Sequence, residues 1–286
     1  PQLSQQVKAL LGEGNAAYVS QNIPEAARLM EEAIWIEPRV PAAWATLALC
    51  YQDEQPEKAL KLKIIRAHLV HDVDLWLSLG SESRGLGYLQ QALYCYRKAC
   101  TLDTSDVNAQ WERASLAKEL GDFRTAKTAL LAILKQYPHD IVALEELRPV
   151  LVELSEITKG IELYQAAFDS YQERYPTGIG GFGDIHIIIL ADFYNSINDP
   201  EMAILTIRRG ARWLQGRGDQ RFWDNELDDR EFDLPNMARR GQDPSIMVMT
   251  FPLDLNFRHR LAISQLMLGD HEEGKVCSSR SKIFLF

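Results

Sequence analysis

The chain has 286 residues, 46% of them hydrophobic and 25% charged, and no apolar run approaches the roughly 20 residues that span a bilayer. This excludes a helical membrane protein and is ordinary for a folded, soluble one. A formal net charge of -9 argues against phosphate backbone as the main partner, because nonspecific nucleic-acid affinity comes from Lys and Arg.

From the N-terminus, small residues recur with a fixed beat. Ala26, Ala59, Ala92, Ala126 and Gly160 fall 33, 33, 34 and 34 residues apart, a period that marks stacked helix–turn–helix units. A companion row lies twelve places upstream: Gly14 before Ala26, Gly80 before Ala92, Ala114 before Ala126, Ala191 before Ala203 and Ala262 before Gly274. Two antiparallel helices approach closely only where facing side chains are small, so each such pair marks one hairpin of helices.

The first unit runs from Val7 to Val40, with Leu10, Gly14, Ala17 and Tyr18, then Ala26, Met30 and Ala33, and Pro38 as its stop. This is the tetratricopeptide (TPR) pattern. The second unit carries Trp44, Leu47, Ala48, Tyr51 and Ala59, with a turn one residue short. The third is the most regular, with Trp76, Leu79, Gly80, Ala92, Tyr96 and Ala99; the fourth has Ala114, Ala126, Leu130 and Pro138. The fifth, through Leu144, Leu151, Gly160, Tyr164 and Ala167, ends at Pro176. The expectation is an all-α TPR solenoid, a right-handed superhelix of antiparallel helix pairs with about seven repeats in two arms.

Residues 1–176 form the first arm of five repeats in this reading. Gly160 to Ala203 is 43 residues, and the excess coincides with Thr177 to Gly183, so Gly178, Gly180, Gly181 and Gly183 are read as a hinge. A sixth repeat occupies 184–215, an irregular acidic insertion 216–252, and an incomplete seventh repeat 253–286. The start at Pro1 and the apolar end Ile283 to Phe286 suggest a piece of a longer protein.

Several short patterns invite chemistry. Gly178 to Gly183 spells the dinucleotide fingerprint G-x-G-x-x-G, but that motif needs a preceding strand, and a helix and Pro176 stand there instead. His68 and His71 share a helix face without a third ligand, and Ser279 to Lys282 matches S-x-x-K without its companion motifs. Cys50, Cys95, Cys100 and Cys277 sit at no metal-ligand spacing, which points to free thiols in a reducing compartment. No metal, cofactor or catalytic residue is expected. The acidic run Asp224 to Asp233 reads as a solvated loop, or as a docking element through Trp223, Asp228, Asp229 and Phe232; because aromatics are seldom left in water without use, at least one of Phe222, Trp223 and Phe232 is expected to tuck against the array or to anchor another chain.

Ligands of such arrays sit on the concave side, lined by first-helix residues not needed for packing. Counting from each small residue, the groove is expected at Asn15, Tyr18, Gln52, Asp53, Arg84, Asn108, Trp111 and Lys118. Trp111 is either an anchor for a partner or a spacer between units. A chaperone-cofactor clamp would want Lys where Leu11 stands, although Asn15 fits it.

Other segments exceed what any repeat of this type needs: Glu57 to Leu60, Ala67 to Leu69, Leu93 to Ala99, Trp111 to Leu116 leading into Gly121 and Asp122, and Pro252 to Leu255. In this order they resemble the TPR-array subunit of RNA polymerase III transcription factor TFIIIC, of the fungal type. The resemblance implies a non-catalytic nuclear scaffold with two TPR arms and an insertion. It implies contacts to other TFIIIC subunits and recruitment of TFIIIB through its TFIIB-related and SANT-domain subunits, with little direct nucleic-acid binding and no membrane.

Overall fold

The computed structural model describes residues 3–178, 180–224, 229–232 and 252–278. Among them are fourteen α-helices, two 3-10 helices and no strand. The chain divides into two compact units, Pro1–Gln136 and Tyr137–Phe286.

The first unit holds four helix pairs: α1 (Gln5–Val19) with α2 (Ile23–Ile36), α3 (Pro41–Tyr51) with α4 (Pro56–Val70), α5 (Val73–Gly85) with α6 (Leu89–Leu102), and α7 (Val107–Glu119) with α8 (Phe123–Gln136). The second holds α9 (Ile141–Glu153) and α10 (Ile157–Arg174), α11 (Asp184–Ser196) and α12 (Pro200–Leu214), and α13 (Leu255–Leu268) and α14 (His271–Ser278). Each hairpin is one repeat.

Close approach is achieved where the beat requires it. Ala26, Ala59, Ala92, Ala126 and Ala203 are at most 2% exposed, and Ala114, Ala191 and Ala262 are buried as well. A β-carbon on Gly80 would lie 2.9 Å from the Tyr96 ring, and one on Gly160 the same distance from Phe193. In α9 the equivalent first-helix position is held by Arg148, followed by Pro149 inside the helix. The small row is therefore broken in the fifth pair.

Caps and turns repeat too. Asp72, Asp106 and Asp140 precede α5, α7 and α9, each side chain accepting a backbone N–H of the first turn. Between the two helices of a pair, Gln21, Gly87, Gly121, Ser155, Asn198 and Gly269 take positive φ, which reverses the chain in two or three residues. The α3–α4 connection, residues 52–55, has no such residue. Cys50, Cys95 and Cys100 are buried free thiols, and no described helix is long and apolar enough to cross a membrane.

Candidate functional site

In the first unit the first helices α1, α3, α5 and α7 turn their small residues toward their partner helices and leave a second face outward. Val19 is 79% exposed and Leu49 is 43% exposed on that face, flanked by half-buried Leu11, Tyr18, Leu77 and Trp111. Large apolar side chains thus stand open on two neighbouring first helices, α1 and α3.

The polar residues around them are ordered. Asn15 is exposed and its Oδ1 accepts a 2.8 Å hydrogen bond from Thr46 Oγ1, tying α1 to α3. Arg84 donates to Glu112 Oε2 at 2.5 Å and lies 4.0 Å from Glu119, which ties α5 to α7. Asn108 is exposed on α7 and Lys118 is half-buried on the same helix. Gln52 and Asp53 differ from expectation, because α3 ends at Tyr51 and both residues fall in the α3–α4 turn. Of the eight groove residues, six sit on first helices and two on a turn.

The glycine segment is packed. Phe182 is fully buried, stacked on Phe168 and Tyr171 at 5.7 and 5.5 Å between ring centroids. Gly178, at φ +78°, lies where a β-carbon would come within 2.7 Å of the Leu214 backbone; one on Gly180 would overlap the Tyr175 ring, and Gly181 also has positive φ. Trp213 Nε1 donates to the Tyr175 carbonyl at 2.6 Å. Gly183 donates its backbone N–H to His186 Nδ1 at 3.0 Å, and His186 Nε2 lies 3.0 Å from Glu145. Helix α10 precedes the glycines, so the strand of a dinucleotide loop is missing from its place.

The acidic insertion folds back onto α12 in its described part. Asp224 pairs with Arg209 at 2.7 Å and with Arg212, while Glu231 accepts from Arg212 at 2.7 Å and from Arg217 at 2.9 Å. The side chains of Arg212 and Glu231 are 3% and 2% exposed. Burial presses the Arg217 guanidinium below its ordinary value, an effect Glu231 opposes. Phe232 is buried and belongs to this packed layer, which is the tucked-in one of the two roles the sequence left open for these aromatics and not that of a docking anchor. Trp223 is half-buried beside Phe222, Asp229 lies on the short 3-10 helix Asp229–Phe232, and Asp228 falls outside the described residues. The arginine pairing was missed in the sequence; Arg209 and Arg212 on α12 and Arg217 just beyond it, ahead of an acidic run, are the signal that could have found it.

A cleft of about 660 Å³ lies in the second unit, lined by Asp169, Glu173, Pro176, Trp213, Asp219 and Arg221 among others. None of the predicted groove residues lines it. Among the described residues no group of three or more His, Cys, Asp or Glu is placed to hold a metal ion.

Stacked helix pairs, a small-residue seam and an open first-helix face define a TPR array, and tetratricopeptide-repeat family models match residues 73–106 and 108–140. The chain is 28% identical to the transcription factor tau subunit sfc4 of Schizosaccharomyces pombe, over 96% of this chain and 29% of that protein. It is 26% identical to the transcription factor tau 131 kDa subunit of Saccharomyces cerevisiae, over 92% of this chain and 31% of that protein. These curated homologues are TFIIIC subunits, which bears out the resemblance read from the sequence. The chain spans under a third of the length of either. Among solved structures it matches a chain in the structure of Naa15/Naa10 bound to HypK-THB, with a TM-score of 0.54 at 13% identity, over 96% of this chain and 36% of that one. That likeness is one of fold alone.

Proposed function

We propose that this chain is part of the TPR array of a TFIIIC subunit and acts as a non-catalytic nuclear scaffold. It binds other TFIIIC subunits and recruits TFIIIB, through the TFIIB-related and SANT-domain subunits, for RNA polymerase III transcription. In this reading the five repeats of residues 1–176 form one arm, and beyond residues 177–183 come the sixth and seventh repeats on either side of the insertion. The observation that carries the proposal is the open apolar line of Val19 and Leu49, set in a frame of fixed polar bridges, in a chain whose homologues are TFIIIC subunits. A partner segment laid across α1, α3, α5 and α7 covers that line and finds Tyr18 and Trp111 as half-buried walls.

The test places Val19→Asp together with Leu49→Asp in the full-length subunit. Both side chains are exposed, so thermal unfolding stays unchanged, whereas retention of TFIIIB by the assembled complex falls roughly tenfold or more. Undiminished retention would remove the groove from the account.

A further inference from the structure

The net charge of -9 conceals a basic strip. Helices α4, α6 and α8, the second helices of three successive pairs, carry nine Lys and Arg between them against one acid, Glu57. Helix α2, the equivalent helix of the first pair, has the opposite balance, with Glu25, Glu31 and Glu32 against Arg28. Ala59, Ala92 and Ala126 point each of the three toward its partner helix, and the opposite side faces water. Lys58, Lys61, Arg97, Arg124 and Lys135 are exposed there, and Lys98 is half-buried.

The outer faces of α4 and α6 meet. Tyr94 on α6 hydrogen-bonds His68 on α4 at 2.7 Å, and Arg97 and Lys98 stand 5.4 and 5.6 Å from the Tyr94 ring centroid. Burial, then the charges of Lys98 and His71, hold the His68 imidazole below its ordinary value, as expected where cations gather. Lys61 is paired with Glu57 at 2.7 Å and Lys58 lies 3.4 Å over the Tyr51 ring. Among the described residues no carboxylate oxygen comes within 4.0 Å of Arg97, Lys98, Arg124 or Lys135.

Carboxylates stand instead at the helix ends. Asp72 and Asp106 cap the helices that follow α4 and α6, and Asp122 accepts the Thr125 N–H at the start of α8. The strip is thus flanked by acidic caps and by acidic α2. We propose that the outer face of α4, α6 and α8 is a docking surface for a short acidic polypeptide segment. Its width, three helices, is on the order of 20 Å at the usual interaxial spacing, which about six residues of extended chain cross. A long polyphosphate backbone would overrun the flanking carboxylates of an acidic protein, whereas a short run of Asp and Glu ends before reaching them.

This goes beyond the groove of the first helices and uses different residues. Fluorescence anisotropy of the chain with a short labelled peptide of alternating Glu and Gly, at low and at physiological salt, is the direct measurement. Binding is expected, weakening with salt, and Arg97→Glu with Arg124→Glu and Lys135→Glu reduces it roughly tenfold or more. The milder set Arg97→Gln, Arg124→Gln and Lys135→Gln, which removes charge without adding repulsion, reduces it less and in the same direction. Lys159→Glu, a single charge reversal in the second unit, leaves it unchanged. Equal affinity in both triple variants would overturn the proposal, as would tighter binding of a short DNA or RNA duplex than of the peptide.

Discussion

The two units solve the same packing problem differently. In Pro1–Gln136, helix pairs meet over Ala26, Ala59, Ala92 and Ala126, and little else is special about their seams. In Tyr137–Phe286 the small residues persist at Gly160 and Ala203, but an aromatic stack and a buried ionic cluster are added. Where the repeat runs without interruption, one small residue per helix suffices. Where insertions break it, contacts made once only, such as Phe168 on Phe182 and Arg212 on Glu231, take over the task of fixing the chain.

The largest expected effect breaks that second kind of contact. Glu231 is buried and holds two arginines, so Glu231→Ala leaves the Arg212 and Arg217 guanidinium groups enclosed without the carboxylate they share. Removing one partner of a buried ion pair costs about 3–5 kcal/mol, far more than the pair contributes when intact. Hydrogen exchange resolved by helix is the measurement: α12 loses protection and α1 to α8 keep theirs. Protection falling equally in both units would show that the cluster does not belong to the second unit alone.

Next in size is Gly178→Ala. The new methyl group meets the Leu214 backbone at 2.7 Å and the residue must hold φ +78°, so neither side-chain rotation nor a simple backbone adjustment relieves it. A loss of roughly 2 kcal/mol or more in denaturant unfolding is expected. A substitution without cost there would mean that the segment is not held against α12 in solution.

How much of this was legible follows from distance along the chain. The marker alanines could be read because their partners recur at twelve and at 33 or 34 residues, and the structure buries every one of them. The acidic caps Asp72, Asp106 and Asp140 share the period, yet they were not read from the sequence. By contrast, Trp213 bonds Tyr175 across 38 residues and Arg212 bonds Glu231 across 19, separations that no repeat announces. The glycine run was visible as a break in the beat, but its packing against Leu214 and Tyr175 depends on partners outside it. Within the candidate groove, the count from the small residue placed Asn15, Tyr18, Arg84, Asn108, Trp111 and Lys118 on first helices. It carried Gln52 and Asp53 past the end of α3, because that helix has 11 residues where α5 and α7 have 13.

Within the first unit, two glycines at equivalent positions sharpen the meaning of the seam. Gly80→Ala directs a methyl group at the Tyr96 ring, at 2.9 Å from two of its carbons. Tyr96 is buried against Ala92 and Leu116, so the ring has little room to retreat. Even after the roughly 1 kcal/mol that Ala gains over Gly in a helix interior, a net loss of about 1–2 kcal/mol is expected in denaturant unfolding.

Gly14→Ala should give the smallest change of all. Its methyl group would fall 2.3 Å from Met30 Cε, a closer approach than at Gly80, but the atom met is the far end of an unbranched thioether with three rotatable bonds. Met30 can swing its terminal methyl group aside, and the helix-propensity gain of about 1 kcal/mol then offsets the repacking, leaving stability within about 0.5 kcal/mol of the parent. The measurement is the same denaturant curve run on both variants. If Gly14→Ala proved as costly as Gly80→Ala, the seam would demand glycine for the approach of the helices themselves; if only Gly80→Ala is costly, stiffness of the facing side chain decides where glycine is required.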